Sequence, residues 1–269
     1  MHLQRWLTSI VALPFLIFFI YKGGAFLFAI FICLVSIISL WEYFRIVFND
    51  ATIPPPGIIL FLAYITGSGI IFASFYRLFN VVSSLIAVNL IILSLISIIY
   101  FKKDEFILEA VAKQIKGVVY IPLFLSYLVI IRSGENGILS IFLILVLIIL
   151  GDTGAFYAGT CFGRHKLAPV VSPGKTIEGS IGGLGATLLG GIFFRYYFMP
   201  QLNLGMAIIF FLCIGIAGQA GDLFESLFKR RAGVKDSGNI LPGHGGILDR
   251  IDALLFASPV AYVFMEYLF

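Results

Sequence analysis

Charge is what this sequence has least of. Only 12% of its 269 residues are Asp, Glu, Lys or Arg, against about 25% in a typical soluble domain. A disordered chain needs the opposite balance, high charge with few apolar residues, and a soluble globular enzyme is excluded with it. Cysteine is scarce too. Cys33, Cys161 and Cys213 are odd in number and far apart, so they give neither a disulfide framework nor a metal spacing. Glycine and proline show no collagen-like period. What the chain has in excess is Leu, Ile and Phe, with 28 Phe and 60% hydrophobic residues overall. These residues form long unbroken runs, whereas the strands of an outer-membrane barrel alternate apolar and polar. The chain therefore reads as an all-α, polytopic integral membrane helical bundle.

A spanning helix needs about 20 predominantly apolar residues. Runs of that kind cover 6–21, 24–46, 57–76, 80–100, 117–131, 136–151, 177–198, 204–224 and 250–268, about nine transmembrane helices. The fifth and sixth runs are short, which leaves room for them to be tilted, broken or extended into their flanks. Pro54-Pro55-Pro56 punctuates one connection, because a proline run cannot continue a helix. Arg5 ahead of an apolar run gives the N-terminus a superficial likeness to a signal peptide, but no clear small-residue cleavage site follows, so an uncleaved first helix is expected. Three regions are expected: N-terminal transmembrane helices over 1–100, an amphipathic connector and central helix over 101–135, and a C-terminal catalytic transmembrane domain over 136–269.

Lys and Arg in the connections set the orientation. With the N-terminus cytoplasmic, 14 of the 18 basic residues fall on the inner side; only Lys22, Arg77, Arg132 and Arg195 fall outside. The long connections 101–116, 152–176 and 225–249 are then all cytoplasmic, which puts the expected active site on that face of a cell (inner) membrane. Within 101–116, Phe106, Ile107, Ala110, Val111 and Ile115 share one helical face. The segment is either an interfacial helix at the headgroup level or a solvated connector. Small residues at four-residue intervals, such as Gly179/Gly183 and Gly182/Ala186, read as a helix-packing surface.

Acids are few, so their positions carry information. Asp152, Glu178, Asp222, Glu225, Asp249 and Asp252 lie at or near the inner ends of the last four spans, and Asp236 lies in the loop between the final two. Carboxylates at membrane depth are expensive and usually face a bundle interior or a wet cavity. On span eight, Gln219, Asp222 and Ser226 lie within about 60° of one another around a helix of 3.6 residues per turn. Lys229-Arg230-Arg231 and Lys235-Asp236 follow, and a glycine-rich turn through His244, Gly245 and Gly246 leads into Asp249-Arg250-Ile251-Asp252. Asp supplies hard oxygen ligands to Mg²⁺, Lys and Arg neutralise phosphate oxygens, and Gly lets backbone N–H groups approach them. The order of charges fits a site for metal-bound phosphates. Ser172-Pro173-Gly174-Lys175-Thr176 ends like a P-loop, but Pro169 stands where its first glycine belongs; Lys175 is kept as a phosphate contact.

The run from Ser226 through Lys229, Lys235-Asp236, Gly238, Pro242, His244-Gly245-Gly246 and Asp249-Arg250 to Asp252 resembles the complete signature of phosphatidate cytidylyltransferases, the CDP-diacylglycerol synthases. The segments Gly151–Phe156, Ser172–Gly179 and Gly218–Asp222 are similar to family segments in matching order. The likeness spans about 150 to 252; the first 150 residues agree only in being apolar helices. It implies transfer of the cytidylyl group of CTP to phosphatidic acid, giving CDP-diacylglycerol and pyrophosphate for phospholipid biosynthesis, with Mg²⁺ required. A pair of metals is plausible chemistry for such a transfer. Asp222 and Asp249 are the first candidate metal ligands, with Asp252 and Asp152 in reserve. Lys229, Arg230 and Arg250 join Asp222 and Asp249 as catalytic candidates. His244 suits contact with phosphate or pyrophosphate, or loop structure, better than acid chemistry, since a phosphate attacker is already ionised. Lys175, Ser172, Glu178, Gln219, Ser226, Lys235, Asp236, Gly245 and Gly246 are the substrate-binding candidates. Phosphatidic acid, CTP and membrane lipid are the expected partners, with no nucleic acid, and the family implies a homodimer.

Two other classes compete. A secondary transporter would also carry intramembrane carboxylates, but at the midplane of inverted repeats, and the second half of this chain is not repeated in the first. A CTP-dependent kinase of lipid alcohols would move the γ-phosphate instead. Trp41-Glu42-Tyr43, at the inner end of span two, reads as interfacial anchoring and is left out of the site.

Overall fold

The computed structural model describes residues 14–49, 55–102, 105–240 and 245–269. Helix α1 covers 14–21. It is followed by α2 (Gly24–Val47), α3 (Gly57–Phe75), α4 (Phe79–Tyr100), α5 (Ile107–Val118), α6 (Phe124–Arg132) and α7 (Gly137–Phe162). A two-stranded hairpin, β1 (Lys166–Ala168) and β2 (Ser172–Thr176), precedes α8 (Ile177–Phe198), α9 (Leu204–Arg231) and α10 (Leu248–Tyr267). The chain is an all-α polytopic membrane protein in architecture. Among the described residues, seven helical stretches are long and apolar enough to cross a membrane. Helix α10 has the length but carries Asp249, Arg250, Asp252 and Glu266.

The chain divides into two compact units, one of residues 1–133 with 231–249, the other of 134–230 with 250–269. In the first unit, α5, a π-turn over Val119–Leu123 and α6 form one continuous helix from Ile107 to Arg132. Pro122 inside the turn explains its geometry: proline has no N–H to give the helix ladder, and a π-bulge absorbs the misfit. Gly67 of α3 makes room for the proline ring, since a Cβ there would lie 3.0 Å from Pro122 Cγ. The fifth span is thus not short. It runs without interruption into the amphipathic connector, whose apolar face is not left for a headgroup layer: Ile107, Ala110 and Val111 are buried against Ile59 and Leu93. Three buried polar side chains of this unit, Thr66, Asn89 and Gln114, find partners in one another, as polar groups between membrane helices do. The amides of Asn89 and Gln114 pair reciprocally at 3.2 Å, and Thr66 Oγ1 donates to Asn89 Oδ1 at 3.2 Å.

In the second unit the sixth span extends to Phe162, eleven residues past its expected end, so Asp152 sits inside a helix. Helices α7 and α8 pack along a glycine seam. A Cβ on Gly179 would come within 3.1 Å of Gly159 Cα, and one on Gly183 within 3.0 Å of Ala155 Cβ. Backbones this close make the contact by dispersion rather than by the hydrophobic effect, and the small-residue pattern of 179–191 is the packing surface its spacing implies. Two adjacent helix ends force the chain to reverse sharply between them, and the β1–β2 hairpin makes that reversal, pairing Lys166 with Thr176 and Ala168 with Ser172. Thr176 then caps α8, its Oγ1 accepting from Gly179 N at 3.0 Å, as N-cap threonines do.

Candidate functional site

Helix α9 carries four charged residues of the second unit, Asp222, Glu225, Lys229 and Arg230, within nine positions. It continues as helix to Arg231, so Asp222, Ser226 and Lys229 fall on one face at three- and four-residue steps. Gly218 and Gly221 set its distance from α10. A Cβ on Gly218 would lie 3.6 Å from Ala253 Cβ, and at Gly221 there is no room for one against the Asp252 backbone. The glycines ahead of Asp222 thereby bring two acids, Asp222 and Asp252, to one helix contact. Asp152 of α7 is close enough to both for their charges to interact, and Lys175 and Arg250 act on Asp152 from the opposite sign.

Lys175 projects from β2 and its Nζ lies 2.6 Å from Asp222 Oδ2, with both side chains about one-third exposed or less. Ser226 Oγ donates to Asp222 Oδ1 at 3.4 Å. One turn on, Lys229 pairs with Glu225, whose side chain is fully buried. Arg230 is exposed and its Nε donates to the Val171 carbonyl at 3.0 Å, tying α9 to the tip of the hairpin. Asp252 Oδ1 accepts from Ala253 N at 2.8 Å. The structure thus brings Asp152, Lys175, Asp222, Ser226, Lys229, Arg230, Arg250 and Asp252 into one compact unit.

Other candidates in this unit have local partners. Glu178 accepts from the backbone N–H groups of Arg164 (3.0 Å) and His165 (3.2 Å) and meets His165 Nδ1 at 2.6 Å, closing the hairpin base onto the first turn of α8. Gln219 exchanges hydrogen bonds with Ser180, its Nε2 donating to the Ser180 carbonyl at 3.1 Å while its Oε1 accepts the Ser180 hydroxyl. Ser172 lies half-buried on β2.

Asp249 belongs to the first unit, within the segment 231–249. Its Oδ2 accepts from Ser237 N (2.8 Å) and Gly246 N (2.8 Å) and lies 2.9 Å from Ser237 Oγ. Gly245 has φ +82°, a conformation that side chains disfavour, and a Cβ there would meet Asp249 Oδ2 at 2.7 Å. Lys235 and Asp236 are exposed in the same segment. His244 lies outside the described residues. The residue that sequence reasoning set aside is Glu42 of α2. It is wholly buried and accepts from Ser237 Oγ (3.1 Å), Ile247 N (3.0 Å) and Leu248 N (2.7 Å). Its signal was present: a lone carboxylate near the end of an apolar span calls for a partner. Trp41 beside it is exposed and stacks under Arg45 at 4.8 Å.

The donor chemistry suits a hard cation, since Asp152, Asp222 and Asp252 are carboxylates gathered beside cations in one unit. They do not form a ready cage; among the described residues no three His, Cys, Asp or Glu side chains converge on a point that could hold a metal. Phosphate oxygens would complete such a site, as is usual for Mg²⁺.

Comparison with known proteins agrees with this chemistry. The family model described as the cytidylyltransferase family matches residues 3–268. Phosphatidate cytidylyltransferases of Staphylococcus haemolyticus, Staphylococcus epidermidis and Staphylococcus aureus are 38%, 35% and 37% identical to this chain, over 97% of it and 98% of each relative.

Proposed function

The chain belongs to the cytidylyltransferase family, and from that we propose that it transfers the cytidylyl group of CTP to phosphatidic acid. A phosphate oxygen of phosphatidic acid forms a bond to the α-phosphorus of CTP, the bond from that phosphorus to the β-phosphate bridge breaks, and pyrophosphate carries away the electron pair. CDP-diacylglycerol remains in the membrane. One substrate is a lipid with its phosphate at the headgroup plane and the other is a water-soluble polyanion, so the enzyme must work at a membrane surface. The basic asymmetry of the connections supports the cytoplasmic face of a cell membrane, and assembly as a homodimer is part of the same proposal.

The observation that carries this reading is the Lys175–Asp222 ion pair. It is partly open to solvent and flanked by further acids and cations, so an arriving triphosphate can take the lysine for its own oxygens. Lys175, Arg230 and Arg250 are the cations proposed to neutralise the phosphates, and Lys229 is held beside them by Glu225. Lys235, Gly245 and Gly246 are proposed as further phosphate contacts. Mg²⁺, when bound, supplies charge neutralisation at the reacting phosphates. Asp222 and Asp249, with Asp252 and Asp152, are the residues proposed to hold it. The protein's own task is then positioning and electrostatic stabilisation, because phosphoryl-type transfer asks for little covalent chemistry.

The test is an assay of purified protein in detergent or vesicles with CTP, phosphatidic acid and Mg²⁺. A cytidine-containing lipid that forms only with all three present supports the reading. Its absence with folded protein contradicts it. Orientation is tested separately: cysteines introduced at 164–168 and at 229–240 should be labelled only from the cytoplasmic side of intact cells, and labelling from outside would reverse the topology.

A further inference from the structure

Glu42 lies in the half of the chain that carries none of the signature, yet its carboxylate is hydrogen-bonded by residues of the signature segment. It accepts from Ser237 Oγ at 3.1 Å and from the N–H groups of Ile247 and Leu248 at 3.0 and 2.7 Å. The two backbone donors belong to the opening of α10, where N–H groups have no partner within the helix and a negative charge is favoured. Glycines at 238 and 246 press against the same carboxylate, and neither position has space for a Cβ beside it. The Ser237 hydroxyl also lies 2.9 Å from Asp249 Oδ2, which in turn accepts from Ser237 N and Gly246 N. Glu42 and Asp249 therefore share one serine and each also holds backbone N–H groups of the segment. A second tie runs from the end of α2: Asn49 Nδ2 donates to the Ala232 carbonyl at 3.2 Å.

A wholly buried carboxylate is retained only where its charge is compensated, and here every named partner is a group of the segment 237–248. Interfacial anchoring does not explain such burial. We propose that Glu42 is a positioning residue for the cytidylyl transfer, acting through the 237–248 segment to fix Asp249 and the glycine turn at 245–246 in the geometry the reaction needs. It touches no substrate. The inference rests on the transferase reading above, and it gives the N-terminal helices a part in the chemistry beyond anchoring in lipid.

Glu42→Gln tests it. The amide keeps the size but replaces one acceptor oxygen with an NH₂ that faces a donor, so at least one of the three hydrogen bonds is lost. Misplacement of a reacting group by about an ångström costs on the order of 10²-fold in rate, so kcat should fall about 10- to 100-fold, with KM for CTP and phosphatidic acid changed by less than about threefold. Hydrogen exchange measured on the purified protein should accelerate over 237–250 and stay unchanged over α3 and α4. Glu42→Gln with wild-type kcat and wild-type exchange in the segment overturns the proposal. So does exchange that rises evenly across the whole unit with kcat lost only in proportion to unfolded protein. Should Glu42→Gln fail to fold, Gly238→Ala applies the same displacement from the segment's side, and its failure to lower kcat or to loosen the segment counts equally against the proposal. If the wild-type protein makes no cytidine lipid, the transferase reading fails on its own, while the exchange measurement still reads what Glu42 holds.

Discussion

The two units of this protein use carboxylates differently. In the second, Asp222 faces the Lys175 ammonium and Glu225 faces the Lys229 ammonium, while Asp152 and Asp252 add further charge nearby. In the first, Glu42 and Asp249 face backbone N–H groups and one serine hydroxyl. An ion pair that is partly open to solvent, as Lys175–Asp222 is, can be exchanged for a charged substrate. A carboxylate that accepts several backbone N–H bonds is committed to the shape of a loop. The difference sets Asp222, whose partner a substrate can displace, against Glu42, whose partners fix a loop, and each side of it can be broken by a single substitution.

The largest effect is expected at Lys229. Its removal as Lys229→Gln leaves Glu225 buried without its ammonium, and breaking a buried pair from one side costs about 3–5 kcal/mol. Thermal unfolding in detergent should show a lowered midpoint, and the double change Lys229→Met with Glu225→Leu should recover it. An unchanged midpoint for Lys229→Gln would mean the pair is wetter than its burial implies. Next comes Asp222→Asn, which keeps size and fold but removes the charge. Turnover should fall on the order of 10²-fold or more, equivalent to roughly 2.7 kcal/mol, with hydrogen exchange over 237–250 unaffected. Asp249→Asn should lower turnover comparably but also loosen that segment, and identical exchange profiles for the two variants would erase the distinction between the units. Lys175→Gln should raise KM for CTP about tenfold, roughly 1.4 kcal/mol, and leave folding intact. The smallest effect belongs to Ser237→Ala, where Glu42 and Asp249 both keep their backbone donors. The loss of one hydroxyl is worth about 1 kcal/mol, seen as a modest drop in stability.

Much of this organisation is visible in the residues themselves. Long apolar runs define the helices because a membrane-spanning backbone must satisfy its own hydrogen bonds, and the glycine spacing at 179–191 announces the α7–α8 seam. The order of charges from Asp222 to Asp252 marks the chemistry. Other features depend on distances between remote residues. Nothing local to Glu42 says that its partners lie about two hundred positions later, at Ser237 and Leu248. The amphipathic pattern of 107–116 is equally compatible with lipid headgroups or with Ile59 and Leu93, and tertiary packing decides between them. The extension of α7 to Phe162 is hidden because Gly151-Asp152-Thr153-Gly154 reads as a helix end, whereas these glycines serve close packing against Gly183, Thr187 and Ala186. The separate roles of Asp222 and Asp249 are likewise invisible in sequence, since both are acids with glycines close before them.

The most direct measurement follows the label of CTP into lipid. Purified protein is given phosphatidic acid and Mg²⁺ with CTP carrying radioactive phosphorus at either the α or the γ position. Cytidylyl transfer puts the α-label into the lipid fraction and releases the γ-label as pyrophosphate. Recovery of the γ-label on lipid, with the α-label left in a soluble nucleotide, would identify a kinase and contradict the assignment.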